Sequence, residues 1–497
     1  MPDSPSKIAW LPDFIYTSGR FESGRAIVCD ASGTIVGLPR VEELRDEKRI
    51  RLANRALLPG MVNAHSHAFQ RVLRGKTEYR ASDRDSFWTW REMMYSAATR
   101  LTPEDVYDAS RMAFLEMALS GITAVGEFHY LHHAPDGKPY DDPNQLAKEV
   151  VRAAGDVGLR IALLRVAYVR SGFRTDPNPK QARFIEADAE KYLKQLERLG
   201  NELTRVTSPT VREGSSAPID GGALLDGRAN APHVSAWTGV APHSVRAVPL
   251  EYLRKVIDYA KQHELKVHMH VAEQPAEVSA CVEEYGRTPI ALLETEGLLS
   301  ERFTAVHAIH VTPKAMPGFA RTRAMVCACP TTERNLGDGV VPADEYLKHG
   351  VPICLGTDSH VQIDPFEEAR ELEYHLRLQR LERAVLDLGS PVSGLGSQDI
   401  AAQLFQCATI NGANSIGAPS GALDLGKPAD FFTVDVIDPS IAGASPDDLL
   451  SSIMFSASRA AVREVVVGGR PIVSDGQHLI QEEVVERFGE LQKRLWG

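Results

Sequence analysis

The residues best suited to chemistry in this chain are histidines that end apolar runs. In Pro59-Gly60-Met61-Val62-Asn63-Ala64-His65-Ser66-His67, two imidazoles stand two residues apart, so an extended strand projects both from one face. That spacing suits joint ligation of one ion. Val267-His268-Met269-His270-Val271-Ala272-Glu273 offers a third imidazole at a strand end and Val306-His307-Ala308 a fourth, while Leu355-Gly356-Thr357-Asp358-Ser359-His360 offers a carboxylate. Together, His65, His67, His270 and Asp358 give three neutral nitrogens and one oxygen, with a position left for water. This is a donor set for one divalent transition ion, with zinc the default and iron or manganese admissible. Such an ion makes water a nucleophile near neutral pH. Glu273 lies three residues past His270, beyond the strand, where it can relay protons between that water and a leaving nitrogen. A lone His-X-His is as often structural as functional. The argument therefore rests on several such groups recurring at strand exits.

For these groups to meet, their strands must open on one end of a common sheet. Eight apolar runs answer that need: 58–63, 122–128, 160–166, 239–242, 265–271, 304–307, 324–329 and 351–356. Helical patterns such as 103–120, 249–263 and 365–379 separate them. Alternation of this kind predicts α/β architecture, a distorted (β/α)8 TIM barrel over residues 58–420, whose catalytic groups collect at the C-terminal ends of its strands. Short strands broken by turn signals fill residues 1–57, and the style returns over 421–497 before a helical tail from about Gln481. Both ends are expected to share a small β-sandwich domain. A Ser/Thr/Pro/Gly-rich stretch, about 203–237, reads as an inserted loop.

Composition narrows the partners. Over 497 residues, 43% hydrophobic and 24% charged residues suit a soluble globular protein. A net charge of -11 argues against nucleic acid, whose non-specific binding depends on clustered Lys and Arg. No membrane span or signal segment is visible, and six scattered cysteines, among them Cys327 and Cys329, look like buried free thiols. A cytoplasmic protein is expected.

The segments PGMVNAHSHAFQR, DSFWTWREMMY, AVGEFHYLHH, HMHVAEQ, VHAIH, NLGDG and GTDSH resemble the formimidoylglutamate deiminase family of histidine degradation, within the amidohydrolase superfamily. The resemblance runs from about residue 55 to 475. The metal pattern is shared with guanine, adenosine and triazine deaminases; DSFWTWRE and EFHYLHH narrow the choice. The resemblance implies zinc on His65, His67, His270 and Asp358, with Glu273, His307 and Asp358 catalytic. It further implies substrate contacts from Gln70, Tyr130, His243 and Arg246, with Arg91 reaching a carboxylate from a neighbouring subunit of a homodimer. Dinuclear relatives bridge their ions with a carboxylated lysine on the fourth strand; Thr238-Gly239-Val240-Ala241-Pro242-His243 has none, so one metal is expected. The implied reaction is hydrolytic deimination of N-formimino-L-glutamate to N-formyl-L-glutamate and ammonia. A substrate with two carboxylates would use two arginines, Arg91 and Arg246, each offering a forked pair of donors. Competing readings are a deaminase of a cyclic amidine (purine, pyrimidine or triazine) and a non-catalytic scaffold of the same fold. Two features depart from the family pattern: the 203–237 insertion, and Thr331-Thr332-Glu333-Arg334 ahead of Asn335-Leu336-Gly337.

Overall fold

The computed structural model describes residues 7–78, 87–207, 235–387 and 400–497. Its centre is an eight-stranded parallel sheet in which each strand pairs with its neighbours in chain order: Met61–Ser66, Ile122–His129, Arg160–Ala167, Ala236–Pro242, Val267–Val271, Phe303–His307, Met325–Ala328 and Ile353–Leu355. Except for the start of the fourth, these strands are buried along their length. A strand covered on both faces needs apolar residues at successive positions, which is why the sequence shows runs and not alternation. The sheet nearly closes into a barrel through a parallel bridge between Ser66 and Asp358. The α/β barrel expected from the sequence is present.

Local signals place the helices between the strands. Pro103–Leu119 starts at a capping box, where Asp105 N–H donates to Thr102 Oγ1 at 3.2 Å and Thr102 N–H donates back to Asp105 Oδ2 at 2.8 Å. Pro365–Arg380 starts on Asp364, whose carboxylate accepts from the amides of Phe366 and Glu367. Two strand boundaries differ from expectation. The first barrel strand begins at Met61, because Leu57 and Leu58 pair with Thr433 and Phe432 in the other sheet. The fourth begins at Ala236 and the preceding helix extends to Thr207, so both edges of the proposed insertion are regular structure. Residues 208–234 of that insertion lie outside the described residues.

The two chain ends share a second sheet, mostly antiparallel, of nine strands among the described residues. Lys48–Pro59 is its junction, pairing in parallel with Ile8–Thr17 on one side and antiparallel with Phe431–Asp435 on the other. Trp10 packs edge-on against Phe431 at 5.4 Å, within a cluster that includes Leu57 and Val466. The final helix, Gln481–Trp496, lies against the barrel helix Pro103–Leu119, with Val484, Phe488, Leu491 and Leu495 buried and Arg111 paired to Glu483 through two bonds of 2.9 Å. Among the described residues, no helix is long and apolar enough to cross a membrane, and all six cysteines are free and buried.

One buried pair joins the two sheets. Arg160, at the start of the third barrel strand, donates to both oxygens of Asp430 at 2.6 and 3.0 Å, and Asp430 also accepts the Gly468 amide at 2.7 Å. Removing one partner of such a pair strands the other charge in the interior. Asp430→Ala is therefore expected to cost ~3–5 kcal/mol, read as a fall of several degrees in melting temperature; a variant melting with the wild type would refute the role of this tie.

Candidate metal centre

Each ligand stands where a barrel strand runs out. His65 and His67 flank the end of the first strand, His270 ends the fifth, and Asp358 follows the eighth. Their side chains, all buried, converge as a group able to hold an ion. His65 Nε2 lies 3.2 Å from His67 Nε2 and 3.1 Å from His270 Nε2; Asp358 Oδ1 lies 3.3 Å from His65 Nε2 and 3.1 Å from His67 Nε2. Four donors about 2.05 Å from a tetrahedral zinc would stand about 3.3 Å apart. The spacing and the three-nitrogen, one-oxygen donor set fit a single ion.

The backbone orients the ligands. His67 Nδ1 lies 2.9 Å from the Phe128 carbonyl and His270 Nδ1 lies 3.2 Å from that of His243. Donation from Nδ1 leaves each Nε2 lone pair facing its fellows. Burial pushes the His65 pKa down to about 3, and burial with the neighbouring His243 imidazole holds His270 well below its ordinary value. Both rings are therefore neutral, as ligation requires. Burial opposes the charge on Asp358, but contacts to His65 and His67 outweigh it and hold its carboxyl well below the usual range.

The strand exits are strained. Ala272, His307, Ala308, Asp358 and His360 have φ of 52, 67, 49, 43 and 59°, the left-handed region that costs a non-glycine residue about 1–3 kcal/mol. These residues turn the chain at the barrel mouth, where the functional side chains are presented. Gly356 serves the same site by having no side chain: a Cβ there would sit 2.7 Å from the His65 Cβ and 2.9 Å from the His65 carbonyl oxygen.

Beyond the quartet lie Glu273 and His307, with Glu273 Oε1 3.7 Å from His307 Nε2, itself 3.9 Å from Asp358 Oδ2. Burial raises the Glu273 pKa, countered in part by His307. Burial would lower that of His307, but Glu273, Glu333 and Asp358 outweigh it and raise it to about 10.

The cleft over the centre is lined by all five expected substrate contacts, Gln70, Arg91, Tyr130, His243 and Arg246. Gln70 Nε2 donates to the Tyr130 hydroxyl at 2.6 Å. The Arg91 guanidinium lies over Trp88 at 4.4 Å and Tyr95 at 5.5 Å. Arg91 Nε and Nη1 and Arg246 Nε are buried without a hydrogen-bond partner among the described residues. Arg91 lines the cleft of its own chain. The helix Phe87–Ala98 follows the first barrel strand and brings Arg91 there.

Sequence reasoning missed the supporting carboxylates. Glu333 contacts His307; Glu127 accepts from Ser66 Oγ at 2.5 Å and from the Ala68 amide at 2.8 Å. Only the oddity of Thr331-Thr332-Glu333-Arg334 hinted at Glu333. His129, His132 and His133, left without a role, are outside the metal quartet, His132 Nε2 lying 2.9 Å from the Val166 carbonyl. Cys329 shows one further possibility, since its sulfur comes near His307 and Asp358 in a second potential ligand group.

A parallel barrel with a nitrogen- and oxygen-donor centre at its strand exits defines a metal-dependent hydrolase. The sequence model of the Amidohydrolase family matches residues 56–472, and the chain belongs to that family. It is 37% identical over 442 residues to a formimidoylglutamate deiminase of Pseudomonas aeruginosa, covering 88% of this chain and 89% of the relative. A 5-methylthioadenosine/S-adenosylhomocysteine deaminase of Haloarcula marismortui is 26% identical, with 94% and 91% covered. Among solved structures, an amidohydrolase from Brucella melitensis superposes with TM-score 0.84 at 31% identity over 99% of this chain and 100% of that one. An adenosine deaminase from Xanthomonas campestris with bound zinc gives 0.78 at 22% identity, covering 99% of each.

Gly356→Ala is expected to displace His65 and weaken zinc binding by about tenfold or more, by analogy with the loss of other ligand supports. Competition with a chromophoric chelator measures this; wild-type affinity would show that His65 does not depend on the close approach of strand eight.

Proposed function

We propose that this protein is a zinc-dependent formimidoylglutamate deiminase that converts N-formimino-L-glutamate to N-formyl-L-glutamate and ammonia in histidine degradation. The observation that carries this reading is the pair of buried guanidiniums with unpartnered donors in a cleft that ends at three histidines and an aspartate. An unpaired buried donor is costly, and a carboxylate brought by the substrate would satisfy it. A glutamate-derived amidine carries two carboxylates, matching Arg91 and Arg246. The 37% identity to the Pseudomonas aeruginosa deiminase supports the same choice. The cytoplasmic location and homodimer included in this reading rest on the sequence and its family resemblance.

An ion held by His65, His67, His270 and Asp358 would act as a Lewis acid, lowering the pKa of water. The chain's own groups do the rest. Arg91 and Arg246 hold the carboxylates, and Gln70, Tyr130 and His243 line the stretch between them and the reacting carbon. Glu273 takes a proton from the attacking water and delivers it to the terminal nitrogen of the formimino group, then carries the remaining hydroxyl proton of the adduct to the same nitrogen, so that it leaves as ammonia and the oxygen stays as the formyl carbonyl. His307 and Asp358 stabilise the charge that develops on that carbon's substituents. A C–O bond forms, the bond to the terminal nitrogen breaks, ammonia leaves, and the formyl group stays on the glutamate nitrogen.

The test is to incubate zinc-loaded protein with N-formimino-L-glutamate. Ammonia and N-formyl-L-glutamate in equal amounts are expected; formamide with free glutamate, or no turnover at full metal content, would overturn the reading. Turnover of 5-methylthioadenosine instead would assign a cyclic-amidine substrate. Two variants separate the roles. Arg246→Met should raise KM at least tenfold, on the order of one lost charge-assisted hydrogen bond. Glu273→Gln should keep its metal and lose about 10²–10⁴ in kcat.

A further inference from the structure

We infer that Glu333 is a positioning residue for His307, fixing which of its ring nitrogens carries the permanent proton and thereby aiming Nε2 at the reacting groups. The inference rests on the deiminase reading for its kinetic arm alone. Glu333 sits in the short helix Pro330–Leu336 that leaves barrel strand seven, and it is 1% exposed. One of its oxygens, Oε1, stands 2.9 Å from the Cys329 amide and 3.2 Å from His307 Nδ1. A backbone amide can only donate. Oε1 is therefore an acceptor whatever the charge of the carboxyl group, and the second contact to it is satisfied when His307 Nδ1 also donates. The tautomer follows: Nδ1 carries hydrogen, and Nε2 is the nitrogen left to exchange protons or accept.

The surroundings give that choice its consequence. Nε2 is the ring atom 3.7 Å from Glu273 Oε1 and 3.9 Å from Asp358 Oδ2, so the nitrogen released from structural duty is the one facing the cleft. His307 stands at the end of strand six with φ of 67°, followed by Ala308 at 49°. Strand seven pairs with strand six in parallel, Val306 opposite Cys327, so the turn into the Glu333 helix begins beside His307. The carboxylate reaches across one strand spacing to hold the neighbouring strand's terminal side chain. The Thr331-Thr332-Glu333-Arg334 segment thereby acquires a positioning role through Glu333.

The experiment has two arms. In zinc-loaded wild-type enzyme with 15N-labelled histidine, the His307 Nδ1 resonance is expected to show a directly bonded proton; an Nδ1 without one, with the proton on Nε2 alone, would overturn the proposal without reference to any substrate. In the kinetic arm, Glu333→Ala is expected to keep its zinc and KM within about threefold and to lose about 10² in kcat, the scale of a misplaced reacting group. Glu333→Gln keeps an acceptor oxygen in the same place and should recover at least tenfold of that loss. Glu333→Ala turning over like the wild type would overturn the proposal, as would Glu333→Gln impaired as severely as Glu333→Ala at full metal content. If no variant or wild-type protein acts on N-formimino-L-glutamate, the deiminase reading fails while the tautomer measurement still decides this one.

Discussion

The whole cleft depends on the hydrogen bonds that bring the last barrel strand against the first. His67 N–H donates to the Asp358 carbonyl at 3.1 Å, and Asp358 N–H donates to the His65 carbonyl at 3.0 Å. Side chains extend the seam by one layer: Asn63 Nδ2 donates to Thr357 Oγ1 at 2.7 Å, and the Thr357 amide donates to Asn63 Oδ1 at 3.0 Å. Nearly 300 residues separate the two edges, yet the ligand set exists only in this register. A slip of one residue would turn Asp358 away from the histidines, since neighbouring positions of a strand face opposite sides. Barrel closure and metal-site assembly are thus one event.

That arrangement crowds negative charge into a dry place. Glu273, Glu333, Asp338 and Asp358 are all buried near one another with His307 among them. The cost is visible at Asp338, whose carboxyl is pushed up to about 9 by burial and by Glu273 beside it. A divalent cation and an amidinium substrate are both counter-charges such a site attracts. Arg91 and Arg246 line the same cleft, and Arg91 Nε and Nη1 and Arg246 Nε have no hydrogen-bond partner among the described residues.

What the sequence reveals follows from how local each determinant is. The eight strands were legible because burial on both faces leaves an apolar run, and the ligands because they sit at fixed offsets from the ends of those runs. His65, His67, His270 and Asp358 needed no knowledge of side-chain packing beyond the barrel rule. The substrate contacts were not legible from spacing: Arg91, Gln70 and Tyr130 came from resemblance, since nothing in a run of residues says which loop folds over which strand. Arg91 illustrates the point. Its helix lies close in sequence to the strand that carries His65, and it folds back over the same cleft. Glu333 and Glu127 were hidden for a related cause. Their partners, His307 on strand six and Ser66 on strand one, lie on neighbouring strands, and a carboxylate's role across a strand boundary leaves no periodic mark.

The same geometry explains why the fold alone could not have named a substrate. The scaffold is shared with an adenosine deaminase that binds zinc, and the strand exits that hold the ion are a property of the barrel. Specificity resides instead in segments that the barrel tolerates between its strands: Gln70 and Arg91 lie between strands one and two, Tyr130 just past strand two, and His243 and Arg246 just past strand four. Each is presented from a βα connection, where insertions do not disturb the core. A chain of this family can therefore keep its hydrolytic centre while exchanging the charge of the far wall. Arg91 and Arg246, with three buried nitrogens that lack a hydrogen-bond partner among the described residues, stand on such connections, and a buried donor without an acceptor costs stability until one is supplied.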